Sequence, residues 1–393
     1  MMQSAQKNDV MMHIHAAPIL IVEDNEINRL FIEKTLRKNG FLNLCLVESA
    51  EEALSKIDTV RPDMVILDIV MPGMDGFECC AEIRKRKVFH DLPVLIQTVI
   101  TEPELRVKAF RHGATDFISK PIYPDELCAR VRVHLEKRLF MNSLQLYKER
   151  VHGELEAARQ LQFSILPNVA EINLIKKHTA LDVAAYFEPA SEIGGDFWGI
   201  KLLSSNVAAL WIADFSGHGV TSAINSFRLQ AHMKEASPQA SKPDEYLSLL
   251  NNKLSQLLPS GQFATMFYGI VDAQENQLQY ACACAPHPII LRASGKAELI
   301  DGSGIPLAVS NQTYALQQCA FEKGDTLVLY SDALIETPDA VGRYISEDAL
   351  LAFMKTLNGA SAAAICDALK HHFLMHCGGA QTDDLTLVVA QRI

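Results

Sequence analysis

Four short acidic motifs, widely spaced along the second half of the sequence, constrain this chain more than any other feature. They are Gly194-Gly195-Asp196, Ala213-Asp214-Phe215-Ser216-Gly217-His218-Gly219, Tyr330-Ser331-Asp332 and Thr382-Asp383-Asp384-Leu385-Thr386. Each motif places a carboxylate at the end of a predicted β-strand. Two carboxylates about 4 Å apart repel each other by roughly 4 kcal/mol at an effective dielectric constant of about 20. A fold that gathers them therefore needs divalent cations, and an all-oxygen set of ligands favours Mg²⁺ or Mn²⁺ over zinc.

The composition indicates two or three folded domains in a reducing compartment. The chain has 393 residues, 49% of them hydrophobic, and its nine cysteines show no pairing pattern. We therefore expect a cytoplasmic protein. No apolar stretch reaches the roughly 18 residues of a transmembrane helix, so we expect no membrane insertion.

The charge of the chain argues against nucleic acid as a partner. The net charge is −11, and there is no long basic run. Phosphate backbones are neutralised by clustered Lys and Arg. The best basic patch, Arg84-Lys85-Arg86-Lys87, is interpreted as a solvated helix face.

The N-terminal third alternates short apolar runs with helical patterns. The apolar runs lie at 19–22, 44–47, 64–67, 94–96 and 116–118. This alternation predicts five βα units, and hence a doubly wound α/β fold with a five-stranded parallel sheet. In such sheets the chemistry collects at the carboxyl ends of the strands. The residues expected there are Glu23, Asp24, Asp68, Thr98 and Lys120.

Those five side chains suit phosphoryl transfer. Glu23, Asp24 and Asp68 can hold one Mg²⁺, which neutralises the pocket while Asp68 attacks a phosphoryl group in line. Lys120 can pair with the phosphoryl oxygens, and the Thr98 hydroxyl can donate a hydrogen bond to them.

The stretch from Pro18 to about His134 resembles the receiver domain of bacterial two-component response regulators. The resemblance rests on the motifs around Glu23-Asp24, on Leu67 to Gly76, on Thr98 and on Ser119-Lys120-Pro121. It implies that a sensor histidine kinase or a phosphotransfer protein phosphorylates Asp68. It also implies that Phe117 is the aromatic switch residue and that the Lys120–Pro121 peptide bond is cis. Val99 departs from the family, which usually has a small residue there.

A long helical pattern follows the receiver-like stretch. Apolar residues recur at three-four spacing from Phe140 to Ile165, with an interruption at Glu154. This pattern predicts one continuous helix that pairs with a copy of itself as a coiled-coil homodimer. The alternative is that this face packs on one of the two domains.

Beyond Pro167 the pattern changes to runs of strands separated by helices. Strands are predicted near 181–187, 207–213, 264–271, 277–283, 326–330 and 385–390, and helices near 221–235, 243–257 and 360–373. Such runs favour an α+β sandwich with α-β-β-α layers. We therefore expect a multidomain chain with a receiver domain at 17–135, a helical connector at 136–166 and a third domain at 167–393.

From Glu154 to the C-terminus the chain resembles the PPM-type serine/threonine phosphatases, in the bacterial branch typified by RsbU and SpoIIE. The segment 154–162 and the four acidic motifs, with Glu188-Pro189 ahead of the first, carry the resemblance. It implies two Mn²⁺ or Mg²⁺ ions. Asp214 would bridge them, the Phe215 backbone carbonyl would be a further ligand, Asp332 and Asp383 would complete one site, and Asp196 would hold the second ion directly or through its waters.

Some positions near these ligands have alternative interpretations. Asp384 is either a further metal ligand or a hydrogen-bonding residue at the start of a strand. His218 either acts on the leaving group or makes a structural hydrogen bond in its turn. Gly217 and Gly219 let the backbone turn tightly beside the ions.

Two departures from the phosphatase family bear on activity. Ala333 stands where the family usually has Gly, so its backbone must keep an ordinary φ or accept strain of about 1 kcal/mol. The segment 280–288 lacks the Asn-Ala-Gly-His sequence of typical members, so substrate choice or rate would differ.

The favoured hypothesis is a response regulator whose output is a metal-dependent protein phosphatase controlled by phosphorylation at Asp68. The resemblance implies a phosphorylated STAS-domain anti-sigma factor antagonist as its substrate, in control of a stress response. The alternative is a non-catalytic adaptor, as in the similarly organised RssB-like regulators, that binds a sigma factor or its regulator. Retention of Asp196, Asp214, Asp332 and Asp383 favours catalysis.

Overall fold

The chain divides into two compact units between Val151 and His152. The structure is a computed structural model that describes residues 12–98, 103–217, 219–235, 240–378 and 381–393, with the side chains of 103–106 left out. Val99 and His218 lie outside the described residues. Among the helices that the described ranges contain, none combines the length and the apolar character needed to cross a bilayer.

The first unit contains the predicted five-stranded parallel sheet. Its strands are β1 (Ile19–Val22), β2 (Leu44–Val47), β3 (Met64–Asp68), β4 (Val94–Thr98) and β5 (Asp116–Ser119). All neighbours pair in parallel, in the order β2-β1-β3-β4-β5. The carboxyl ends of β1, β3, β4 and β5 therefore share one edge of the sheet.

Helices cover both faces of this sheet because successive strand residues point to opposite sides. They are α1 (Glu26–Lys38), α2 (Ala50–Val60), α3 (Gly76–Lys85), α4 (Pro103–Arg111) and the first part of α5 (Pro124–Ser164). Leu20 and Val22 pack in the core shared with α2 and α3. Ile19 and Ile21 pack in the core shared with α1 and α5.

The 41-residue helix α5 is unbroken from Pro124 to Ser164, as the sequence predicted. Several apolar residues of its predicted stripe are exposed, including Phe140, Tyr147 and Leu161. Pairing of this stripe with a second copy stays a prediction. Gly153 is the one glycine in α5, and a Cβ added there would meet nothing within 4 Å.

The second unit contains two five-stranded antiparallel sheets, ordered β13-β10-β9-β8-β7 and β12-β11-β14-β15-β6. The strands are β6 (Leu181–Glu188), β7 (Phe197–Ser204), β8 (Val207–Phe215), β9 (Ala264–Asp272), β10 (Gln277–Ala283), β11 (Ile289–Leu291), β12 (Ala297–Leu299), β13 (Gln317–Ala320), β14 (Thr326–Tyr330) and β15 (Leu385–Arg392).

The two sheets pack face to face with helices outside. Ile212 and Phe267 of the first sheet share a core with Leu329 and Val388 of the second. The helices are α6 (Val169–Thr179), α7 (Val220–Glu235), α8 (Pro243–Leu257), α9 (Ala333–Glu336), α10 (Glu347–Thr356) and α11 (Ala362–Cys377). Helices α7 and α8 cover the outer face of the first sheet, and α9 to α11 cover that of the second. The predicted α-β-β-α sandwich is confirmed.

Candidate functional site

The first candidate site is an acidic cluster at the carboxyl edge of the parallel sheet. Glu23 and Asp24 follow β1, and Asp68 ends β3. One carboxylate oxygen from each of the three lies within 4.8 Å of the others. Glu23 and Asp68 are buried, whereas Asp24 is exposed. This arrangement of hard oxygen donors fits one Mg²⁺.

Lys120, which follows β5, brings a positive charge into this cluster. Its Nζ lies 2.9 Å from Glu23 Oε2 and 2.6 Å from Asp68 Oδ2. Burial disfavours the charged ammonium, but the contacts with Asp68 and Glu23 outweigh burial and raise the pKa of Lys120 above its ordinary value. Burial raises the pKa of Glu23, and hydrogen bonds from Asn28 and Lys120 offset part of that rise.

The remaining predicted receiver residues lie at the same edge or on β5. Thr98 ends β4 and is buried, and its carbonyl accepts a hydrogen bond of 2.7 Å from the Lys120 backbone N–H. The Lys120–Pro121 peptide bond is cis. Phe117 is half-buried on β5, in edge contact with Phe110.

The second candidate site gathers aspartates from both sheets of the second unit. Asp196 directly precedes β7 and is almost fully buried. Its Oδ2 accepts a hydrogen bond of 2.6 Å from the Thr386 hydroxyl of β15. Its Oδ1 is also buried and receives no N–H or hydroxyl donor among the described residues, and the Asp196 carboxyl lies within hydrogen-bonding reach of the Asp214 carboxyl. A buried carboxylate oxygen without a donor is unfavourable unless a cation or water satisfies it.

Asp214 on β8 and Asp332 after β14 carry raised pKa values. Burial, followed by the charge of Asp332, raises the pKa of Asp214 to about 8. Burial, followed by the charge of Asp383, raises the pKa of Asp332 to about 6. Asp332 occupies the N-cap position of α9, yet its side chain makes no capping hydrogen bond. The carboxylates therefore lie close enough to repel one another, and they keep acceptor capacity for metal ions.

The aspartates of the second unit form a looser cluster than the receiver trio. Across the described ranges, Glu23, Asp24 and Asp68 are the only three acidic, His or Cys side chains whose ligand atoms all lie within 4.8 Å of one another. Asp196, Asp214, Asp332 and Asp383 are linked instead by successive electrostatic contacts. The adjoining Asp196 and Asp214 carboxyls and the all-oxygen donor set fit two divalent ions that share Asp214.

Gly194 and Gly195 allow close approach of backbone to this cluster. A Cβ on Gly194 would lie 2.2 Å from Asp384 Oδ2, and one on Gly195 would lie 3.0 Å from the Phe215 carbonyl oxygen. Gly217 and Gly219 have φ of 88° and 82°, in the left-handed region that favours glycine.

Asp384 is bound mainly by backbone donors. Its Oδ1 accepts from the Ala190 N–H at 2.8 Å, and its Oδ2 accepts from the Gly195 N–H at 2.6 Å. Asp383, by contrast, is exposed. These contacts favour the hydrogen-bonding interpretation of Asp384 over metal ligation.

Two residues of this site have roles that sequence reasoning did not assign. Gln162, near the end of α5, is fully buried; its Nε2 donates to the Gly194 carbonyl at 2.7 Å and its Oε1 accepts from the Gly194 N–H at 3.1 Å. Thr386 holds Asp196. Both residues stand within motifs that carried the family resemblance, and a polar residue inside such a motif is the signal that could have identified them.

The two departures from the phosphatase pattern differ in backbone conformation. Ala333 begins α9 and is not among the residues with positive φ, so it carries no strain of that kind. Cys284, in the segment without Asn-Ala-Gly-His, has a φ of 57° and is exposed.

Comparison with known proteins assigns each unit to a family. Residues 19–132 match the response regulator receiver domain, and residues 204–393 match the stage II sporulation protein E (SpoIIE) family. The chain therefore contains a response regulator receiver domain followed by a domain of the SpoIIE family.

Individual proteins match parts of the chain. The transcriptional regulatory protein YvrH of Bacillus subtilis (strain 168) is 38% identical over 121 residues, which cover 31% of this chain and 50% of YvrH. The chain thus spans about half the length of this curated relative. The SiaA-PP2C domain of Pseudomonas aeruginosa aligns with a TM-score of 0.57 and 17% identity, covering 62% of this chain and 98% of that domain. At this identity the likeness shows the fold alone.

Proposed function

We propose that this chain is a response regulator whose output is a metal-dependent protein serine/threonine phosphatase. The observation that carries the proposal is the buried Asp196 carboxyl, which lies within hydrogen-bonding reach of the Asp214 carboxyl and whose Oδ1 receives no N–H or hydroxyl donor among the described residues. An adaptor has no need for such an acceptor, so this observation favours catalysis over the adaptor alternative.

Each acidic residue of the second unit would have a defined part in binding two metal ions. Asp214 would bridge two Mn²⁺ or Mg²⁺ ions. Their coordination would be completed by Asp332, Asp383 and the Phe215 carbonyl. Asp196 would hold the second ion directly or through water. When bound, the ions acidify a water into a nucleophile and neutralise charge on the phosphoryl oxygens. Thr386 fixes one oxygen of Asp196 and leaves the other available.

The receiver would supply control. Asp68 would accept a phosphoryl group from a histidine kinase or a phosphotransfer protein, with Mg²⁺ held by Glu23, Asp24 and Asp68 itself. Lys120 would then exchange its ion pair with Asp68 for the phosphoryl oxygens, and Thr98 would donate to them. Helix α5 contains both receiver residues and Gln162, which contacts Gly194 beside the metal ligands. The change would therefore reach the phosphatase through α5.

The proposed substrate is a phosphoserine or phosphothreonine on a STAS-domain anti-sigma factor antagonist. We expect the intact chain with Mn²⁺ to dephosphorylate such a protein encoded beside its own gene. Asp214→Asn should lower the rate by more than the roughly 10–100-fold that follows loss of an outer-shell metal partner. Asp367→Asn, a change at an exposed aspartate on α11, serves as the matched control.

The outcomes separate catalysis from regulation. Full turnover by Asp214→Asn, or none by the intact chain, would reject the enzyme. Calorimetric titration with Mn²⁺ that finds no binding to the second unit would favour the adaptor. Equal phosphatase rates with and without beryllofluoride, a phosphoryl mimic at Asp68, would reject receiver control alone.

A further inference from the structure

A cavity of about 630 Å³ lies in the first unit, away from the phosphoacceptor pocket. Its wall includes Pro93, which precedes β4, and Thr115, which precedes β5. The amino ends of the strands therefore border it, whereas Asp68 and Lys120 lie at the carboxyl ends. One face of α5, with Lys137 and Arg138, closes another side.

Arg84, on α3, is built into this wall. Its Nε donates to the Gly113 carbonyl at 2.8 Å and its Nη1 to the Phe89 carbonyl at 2.9 Å. A Cβ on Gly113 would lie 2.6 Å from Arg84 Cγ, so the glycine makes room for this side chain. Burial lowers the pKa of Arg84; Cys80 and Asp91 offset part of that fall, and the nearby charge of Arg138 adds to it. No carboxylate forms an ion pair with Arg84 in the part of the chain that the structure describes.

Arg138 and Lys137 add two more positive charges without ion pairs in the described ranges. Arg138 Nη1 reaches the Asp91 carbonyl only at 3.4 Å, and its Nε is buried with no hydrogen-bond partner among the described residues. Asp63 lies near Arg138 but forms no ion pair with it. Burial raises the pKa of Asp63, and the charge of Arg138 offsets part of that rise.

Two other carboxylates near this cavity have partners of their own, although Asp91 also lines the cavity and its charge acts on Arg84. Asp91 contacts His90 at 3.0 Å, and both side chains are largely exposed. Asp116 contacts His134 at 2.9 Å and Arg130 at 2.7 Å. The cavity lining therefore carries three positive charges, from Arg84, Lys137 and Arg138, against the single carboxylate of Asp91.

We propose that this cavity binds a small polyanion of the nucleoside diphosphate class. Guanidinium groups match the geometry of phosphate oxygens, and a phosphate would satisfy the buried Arg138 Nε–H and relieve the repulsion between Arg84 and Arg138. The volume falls within the roughly 300–1,000 Å³ of small-molecule sites. Pro93 and Met141 supply apolar surface for a base. Bound there, the ligand ties α3 to α5.

Isothermal titration of the full chain with ADP, in EDTA so that no divalent ion bridges the phosphates, tests the site. We expect binding that Arg138→Gln weakens about tenfold or more and that Arg138→Lys weakens less, because lysine keeps the charge but loses the paired N–H donors. Lys137→Gln should also weaken binding. Lys148→Gln, at an exposed lysine further along α5, should not.

Further titrations identify the class of ligand and the location of the site. ADP should bind more tightly than inorganic pyrophosphate, because only ADP can use the apolar surface. Binding should persist in Asp68→Asn, since the phosphoacceptor is at the opposite edge of the sheet. Any one of five outcomes would overturn the proposal. ADP fails to bind near 1 mM, or binds Arg138→Gln with unchanged affinity, or binds no more tightly than pyrophosphate. Alternatively, a poly-glutamate peptide binds more tightly than ADP, or Asp68→Asn loses ADP binding.

Discussion

At the scale of single residues, the neighbouring aspartates Asp383 and Asp384 have contrasting surroundings. Asp384 is 3% exposed and accepts hydrogen bonds from the backbone of Ala190 and Gly195. Asp383 is exposed and is among the charges that raise the pKa of Asp332. Adjacent residues of one chemical type therefore divide into a candidate structural carboxylate and a candidate metal ligand.

This contrast predicts different effects for the same substitution. Asp384→Asn replaces one accepting oxygen with an amide that cannot accept from a backbone N–H. Because a hydrogen bond to a charged group contributes about 1.5–3 kcal/mol, the free energy of unfolding in EDTA should fall by about 2 kcal/mol. Asp383→Asn should leave that free energy nearly unchanged and weaken Mn²⁺ binding. Urea unfolding and Mn²⁺ titration of the two variants check this, and the reverse pattern would identify Asp384 as the ligand.

Arg84 shows why some single residues escape sequence reasoning. The basic tetrad that contains it reads as a solvated helix face, and Lys85 does pair with Glu82 in the same helix. Arg84 instead reaches the Gly113 carbonyl, far along the chain. Only the fold brings that carbonyl within reach, so local charge patterning could not predict the half-buried guanidinium.

At the scale of elements, the end of α5 holds the loop that carries Asp196. Gln162 makes two hydrogen bonds with the backbone of Gly194, and Phe163 contacts Phe187 of β6. The loop between β6 and β7 is therefore positioned in part by a helix that precedes it in the chain.

Removing this support should weaken metal binding without removing a ligand. Gln162→Ala leaves the Gly194 N–H and carbonyl without their partners, so we expect the Mn²⁺ dissociation constant to rise about fivefold, equivalent to ~1 kcal/mol. Gln160→Ala, at an exposed glutamine on the same helix, is the matched control. Calorimetry gives both constants, and equal values for the two variants would mean that Gln162 does not position the loop.

The elements that periodicity predicts well are those with local signals. The ranges of β1, β2, β10, β14 and α8 agree with the predicted ranges. Helix α6 was missed, although Asn168 and Glu171 form a capping box directly after Pro167. Strands β11 and β12 have three residues each, too few to show an alternating pattern.

The contacts of the candidate phosphatase site also differ in how far the sequence predicts them. Asp214 and Asp332 stand at or directly after predicted strands, so sequence alone can place them, whereas β7, which follows Asp196, is absent from the predicted strands. The partners of Asp384 and Gly194 depend on pairing between distant segments. Their contacts therefore emerge only with the assembled sandwich.

At the scale of the whole molecule, stability should depend on metal and on pH together. Burial, then Asp332, raises the folded-state pKa of Asp214 to about 8, whereas an unfolded aspartate titrates near about 3.9. Without metal, the folded state keeps a proton that the unfolded state loses. This contribution to stability is complete below about pH 4 and is lost as the pH rises through about 8.

We therefore expect the Tm of the EDTA-treated chain to fall between about pH 6 and pH 8, because unfolding then releases a proton. Mn²⁺ should raise Tm more at the higher pH, since the ion replaces that proton. Asp214→Asn, which cannot titrate, should show a flatter profile. A Tm that rises with pH in EDTA would contradict the assignment of a protonated, buried Asp214.

Helix α5 has its only glycine, Gly153, within two residues of the division between the units. An interior glycine weakens a helix by about 1 kcal/mol relative to alanine, and here the space beside it would accept a methyl group without a clash. Steric demand therefore does not account for the glycine. Its consequence is local: the backbone of α5 should fray more readily at Gly153 than at the alanines and leucines around it.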